Sequence, residues 1–204
     1  MLYLSEMKRL LTILILIFTL QTPSWADDIS DFEIEGMSIG DSLLNFMDEN
    51  LIRKAMNDKD IAIYYENDFV SISTWHIREK FKIYDDVGII LDPNDKKYKI
   101  FALEGTLYMK DKDIEKCYKK QNEIAEDIKN SLNLNVKEDT YFVPKKNLAS
   151  HQLSTKYIDF ELSEGGIIRT TCYEIKEGIR KNSDVNLLYV IVNSSFFWEY
   201  LKKL

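Results

Sequence analysis

Two rhythms of apolar and polar positions run along this chain. The clearest is helical. From Asp113 to Leu132, the positions Ile114, Cys117, Gln121, Ile124, Ile128 and Leu132 recur every three or four residues and form one stripe. A second helix is predicted to start in Gly36-Met37-Ser38-Ile39-Gly40-Asp41, with Ser38 as N-cap, Asp41 three residues on, and Leu44, Met47, Leu51 and Ala55 as its apolar stripe. The other rhythm is strand-like. Val87 to Leu91 and Tyr98 to Leu103 flank the turn signal Asp92-Pro93-Asn94-Asp95 and read as a hairpin. Tyr157 to Leu162 and Ile167 to Ile175 flank Glu164-Gly165-Gly166 and read as a second.

Weaker signals fill the rest. Phe69 to Ile77 and Phe81 to Tyr84 are rich in strand formers but poorly patterned, and Lys137 to Thr155 reads as a long loop. Leu187 to Val192 makes a last strand, after which Asn193 or Ser194 caps a short helix through Phe196, Phe197, Trp198 and Leu201. Hairpin-linked strands with few crossover helices predict an α+β domain. Its mainly antiparallel sheet consists of two hairpins plus a further strand, with helices packed on one face. No internal repeat or low-complexity segment stands out.

The front of the chain changes the picture. Lys8-Arg9 precedes an apolar run from Leu10 to Leu20, followed by Pro23-Ser24-Trp25-Ala26. That order describes a secretory signal peptide over residues 1–26, cut between Ala26 and Asp27, which leaves 27–204 as a single domain. The apolar run is well short of the ~20 residues a spanning helix needs. Met7 places the charges directly before the run and so begins a better leader than Met1. No cysteine stands at position 27 to take a lipid anchor. The expectation is a periplasmic or secreted protein with no stable membrane insertion after cleavage.

Export gives the two cysteines a meaning. Cys117 lies in the helical stripe and Cys172 in the last hairpin, so a disulfide between them would pin a helix to the sheet. Two buried free thiols, or a redox pair, are the alternatives. No C-x-x-C is present to favour the latter. Net charge is −7, with acidic and basic residues well mixed. Nucleic acid and anionic membrane surfaces, which need a concentrated basic face, are therefore not expected partners.

Candidate chemistry is sparse. Two isolated histidines and two widely spaced cysteines make no zinc pattern. Asp92-Pro93-Asn94-Asp95 begins like a calcium loop, but Lys96 follows and no glycine does, so a turn is expected. No metal and no cofactor are implied. His76 beside Trp75 reads as a satisfied or solvated histidine. The carboxylate pairs Glu33/Glu35 and Asp85-Asp86 have the right chemistry for acid–base work, yet such pairs arise by chance in an acidic chain. The aromatic group Phe196-Phe197-Trp198 with Tyr200 is either a core plug or a binding surface, with Phe197 and Trp198 its candidate contacts.

Gly40-Asp41-Ser42-Leu43 resembles the G-D-S-L string of the SGNH hydrolases, which implies a serine nucleophile at Ser42. A nucleophilic serine needs a base within reach and donors for the oxyanion. The family's D-x-x-H and G-x-N-D blocks are missing here. The wider opening from Asp31 to Leu44 resembles small exported bacterial proteins of uncharacterised function. Its Ile34-x-Gly36-Met37-Ser38 core is similar to the helix start of SmpA/BamE-type envelope proteins, which implies assembly or interaction roles; the chain's length and two-hairpin second half depart from that family. The leading expectation is a non-enzymatic exported module that binds an envelope protein or small ligand through its sheet face or aromatic C-terminus. The competing expectation is a serine hydrolase at Ser42.

Overall fold

A computed structural model describes residues 29–74, 81–109, 113–131, 137–143, 152–175 and 186–204. The expected signal peptide, residues 1–26, lies outside these residues, as do Trp75, His76 and His151.

The described chain begins with a 3-10 turn, Ile29–Asp31, followed by a hairpin with a two-residue turn. Strands β1 (Glu33–Ile34) and β2 (Met37–Ser38) pair across Glu35 and Gly36, both at positive φ of 53° and 79°, as a type I′ turn demands. This corrects the helix expected to start at Ser38. Asp41 does accept the Ser38 backbone N–H at 3.0 Å, the bond a capping box would use. Gly40, at φ 95°, nevertheless takes the chain out of helical space. Helix α1 (Glu49–Asn57) starts later, behind Asp48, whose carboxylate accepts the Asn50 N–H at 2.8 Å. It buries Ile52 and Ala55, whereas Leu44 and Leu51 of the expected stripe are exposed.

Strands β3 (Ala62–Tyr65), β4 (Phe69–Ser73), β5 (Asp86–Leu91) and β6 (Ile100–Met109) follow as an antiparallel meander. Helix α2 (Ile114–Ser131) leads to a second meander of β7 (Lys137–Phe142), β8 (Gln152–Glu161), β9 (Ile167–Ile175) and β10 (Asn186–Asn193). Helix α3 (Ser195–Leu201) ends the chain, capped by the Ser194 hydroxyl, which accepts the Phe197 N–H. The two meanders join through their last strands. They form one antiparallel eight-stranded sheet in the order β3-β4-β5-β6-β10-β9-β8-β7. A helix followed by four strands thus occurs twice, a repeat carried by topology.

The class is α+β with antiparallel sheet. The expected two hairpins plus one strand fall short, however. β3 was unanticipated, and β7 with the start of β8 occupies the stretch read as a long loop. On this outer strand Lys137 to Thr140 are all charged or polar and only Tyr141 and Phe142 are aromatic, so no apolar run advertised it.

Cross-strand pairing sorts side chains onto two faces. One face gathers Ile72, Ile89, Leu103, Val192, Ile168 and Phe160 into a core that the first hairpin and α1 cover with Met37, Leu43 and Ile52. Over the second meander the same face is covered by α2. There Cys117 is bonded to Cys172, S–S 2.04 Å. Closing that loop of 55 residues stabilises by about 4 kcal/mol on the chain-entropy model. Gln121, the polar member of the helical stripe, donates its amide to the carbonyls of Lys156 and Thr170 at 3.0 and 2.9 Å. The intervening residues face the other way. There Phe69, Ile90 and Ala102 meet Phe197 of α3 in a separate cluster. Helices therefore lie on both faces of the sheet, where the sequence pattern suggested one.

Candidate binding face

The residues singled out from sequence are placed as follows. Ser42 caps a single 3-10 turn, Leu43–Asn45: its Oγ donates to the Lys97 carbonyl at 2.6 Å and accepts the Leu44 N–H at 3.3 Å. The hydroxyl proton is held by a backbone carbonyl, and both histidines fall outside the described residues. Glu35 accepts the N–H groups of Lys82, Ile83 and Tyr84 at 2.7–2.9 Å. Burial works against its charge, but these three donors hold its carboxyl below the ordinary value. Beside it lies a largely apolar cavity of about 140 Å³ lined by Met37, Leu43, Met47 and Ile89. Asp85 accepts the Tyr108 N–H, and Asp86 accepts from Ser73 Oγ and the Thr74 N–H. Asp92 and Asp95 close their own turn by accepting the N–H groups of Asn94, Lys97 and Lys99.

Phe197 is 2% exposed, packed edge-on against Tyr65 and Phe69. As a core residue it meets no partner unless α3 shifts. Trp198, one residue on, points to β9 and lies under the Arg169 guanidinium at 5.2 Å. Of the two aromatic candidates, Trp198 alone reaches a half-exposed surface.

That surface is the face of the second meander opposite α2. Tyr141, Tyr157, Tyr173 and Tyr189 supply one ring from each of its four strands. The rings form a continuous row, with centroids 5.1, 6.3 and 5.2 Å apart. Beneath it the Thr155 and Thr171 hydroxyls are buried without a hydrogen-bond partner. At the outer end Arg169 is fully engaged. It makes a fork of two 2.7 Å bonds to Asp159, one of 2.9 Å to the Tyr141 hydroxyl, and stacks between Tyr157 and Trp198. Burial comes first in pushing the Tyr141 hydroxyl up to about 12. Burial likewise raises the Tyr173 hydroxyl.

Glu104 is the exception on this face. It sits mid-strand on β6, with Gly88 of β5 and Ile191 of β10 as its cross-strand neighbours. No hydrogen bond or ion pair to a described residue reaches its carboxyl group. Burial, reinforced by the charge of Asp86, pushes that group up to about 7. A group so placed is poised between its acid and its anion near neutrality. Among the described residues no cluster of three His, Cys, Asp or Glu side chains can hold a metal ion, and no helix is long and apolar enough to cross a membrane.

Sequence reasoning passed over Glu104, Arg169 and the tyrosine row. A signal for the row exists: Tyr141, Tyr157, Tyr173 and Tyr189 recur every sixteen residues, the length of one strand and its return. Glu104 left none, since an acid inside an apolar strand reads as a solvent-facing position. Comparison with known proteins finds no match: no family model, no curated protein and no solved structure is similar to the chain.

Proposed function

We propose that this protein is an exported binding module, without catalysis of its own, that holds an envelope component or a small ligand against its tyrosine face. The observation carrying this reading is Glu104. The neighbouring acid Asp86 is paired with Ser73 and Thr74, and Asp159 farther along the face with Arg169, while the Glu104 carboxyl group has no described partner. A half-buried carboxyl group whose charge burial disfavours, and which has no described partner, is available to a donor from outside. The leader over residues 1–26 and the Cys117–Cys172 bond support work in an oxidising compartment, periplasmic or secreted. The likeness of the opening to SmpA/BamE-type proteins supports an interaction role over an enzymatic one. The hydrolase reading loses ground because the Ser42 hydroxyl serves a turn and the Lys97 carbonyl.

The test is a crosslinking capture from envelope extract and its small-molecule fraction, with mass spectrometry of what is retained. Loss of the retained species in Trp198→Ala and Tyr189→Ser, with no change in Ser42→Ala, is the expected result. Capture that ignores both face variants, or ester hydrolysis that disappears with Ser42→Ala, would overturn the reading.

A further inference from the structure

The surroundings of Glu104 specify more than a free acceptor. Neither cross-strand neighbour offers a donor. Ile191 has none to give, and Gly88 has no side chain, leaving open the place where an added Cβ would stand 3.4 Å from the Glu104 Cβ. The diagonal neighbour Asp86 is itself an acceptor, already taken by Ser73 and Thr74. The cation of this face, Arg169, is two strands away, roughly 10 Å, and is bound to Asp159 and Tyr141. Among the described residues, the face thus presents an acid, a glycine beside it and aromatic rings, and no cation is bound to the acid.

A metal ion is a poor occupant, because one carboxylate without two further ligands does not make a site for it. An ammonium group fits better. It donates to the carboxylate in a charge-assisted bond, and ring faces favour a cation and its apolar stem together. We infer that Glu104 is the anionic anchor of a binding site for a small organic ammonium compound, whose nitrogen meets the carboxylate and whose apolar stem lies against Tyr189 and Tyr173. Tyr189 stands diagonal to Glu104, since its pair Thr106 is the next residue on that side of β6. Tyr173 and, from β3, Tyr65 feel the Glu104 charge, which helps raise both their hydroxyls after burial. The chain's net charge of −7 draws cations toward it. The inference rests on the tyrosine face being the binding face.

It predicts a sign for pH. Among the described residues, Asp86 on β5 and Tyr65, Tyr173 and Tyr189 on β3, β9 and β10 are the titratable groups that face Glu104, and the Tyr65 and Tyr173 hydroxyls are raised by burial. Binding therefore tightens as pH rises and Glu104 ionises.

The test uses the exported protein, hexylammonium as probe and uncharged hexanol as control, followed by calorimetry and amide chemical shifts at about pH 8.5 and about pH 5.5. Expected are saturable shifts at Tyr189 and Ile191 with hexylammonium at the higher pH, and affinity roughly tenfold or more weaker at the lower. A similar loss is expected in Glu104→Gln, together with equal, weak responses to hexanol throughout. Gly88→Ala, which fills the space with Glu104 intact, should weaken binding as well. Hexylammonium binding that is absent at the higher pH, or indifferent to Glu104→Gln, overturns the inference. If the envelope capture still depends on Trp198 and Tyr189, the ammonium assignment alone falls; if it does not, the face reading falls with it.

Discussion

The two faces of the sheet meet the same physical demand in opposite ways. The helix-covered face buries Ile72, Leu103, Ile168 and Phe160 under α1, α2 and the first hairpin. Gln121 ties α2 to the carbonyls of β8 and β9 there, although its own Oε1 and the Thr170 hydroxyl are left without a partner. The tyrosine face over the second meander is half-exposed and layered with phenols, a stacked guanidinium and buried threonine hydroxyls. Apolar burial makes the first face a source of stability. The second gives some of that up, since a half-buried acid with no described partner opposes folding once ionised. A protein that keeps this contrast holds one side for folding and leaves the other with recognition capacity still open.

The largest effect should come from the bond that fastens the covered face. Cys117→Ala with Cys172→Ala releases the 55-residue loop and should lower unfolding free energy by about 4 kcal/mol, as read by denaturant melts; a loss under about 1 kcal/mol would show that α2 is held by packing alone. Next is a change of opposite sign on the tyrosine face. The Glu104 carboxyl lies at about 7 in the folded chain against 4.5 when free, so the folded state holds its proton more tightly. That group's contribution to stability is thus undiminished below about pH 4.5 and is lost as pH rises through about 7. Glu104→Gln should therefore leave stability unchanged near pH 4 and raise it near pH 8 by on the order of 3 kcal/mol. Melts at both pH values that moved together, or a variant less stable at pH 8, would break the contrast between the faces. The smallest effect belongs to the outer end of the tyrosine row. Tyr141→Phe removes one hydroxyl shared with Asp159 and Arg169, whose fork of two bonds remains, and should cost within about 1 kcal/mol by thermal melt.

Legibility tracked local physics. The α2 stripe, the cap of α3 and the turns around Asp92 and Gly165 each arise from neighbours in the chain, and each was readable. Ser38-x-x-Asp41 misled because a capping-box pattern does not reveal Gly40 at positive φ, which diverts the chain into a hairpin exit. The strand at 137–142 was missed because an outer strand shows little of the apolar alternation that marks an inner one. Ser42 stood out as a motif and became a cap, while Glu104 stood out in nothing until its neighbours were known.

Composition and periodicity by themselves determined that this chain combines helices with antiparallel strands and has two cysteines placed to join helix and sheet. These depend on short-range patterns, which a linear sequence carries in full. Only the tertiary structure decided which strands share a face. It set tyrosines sixteen residues apart into one row, turned Phe197 into core and Trp198 to the surface, and placed Glu104 between a glycine and an isoleucine. The reason is register. A side chain's environment in a sheet is made by residues on other strands, and a shift of one position would exchange the two faces.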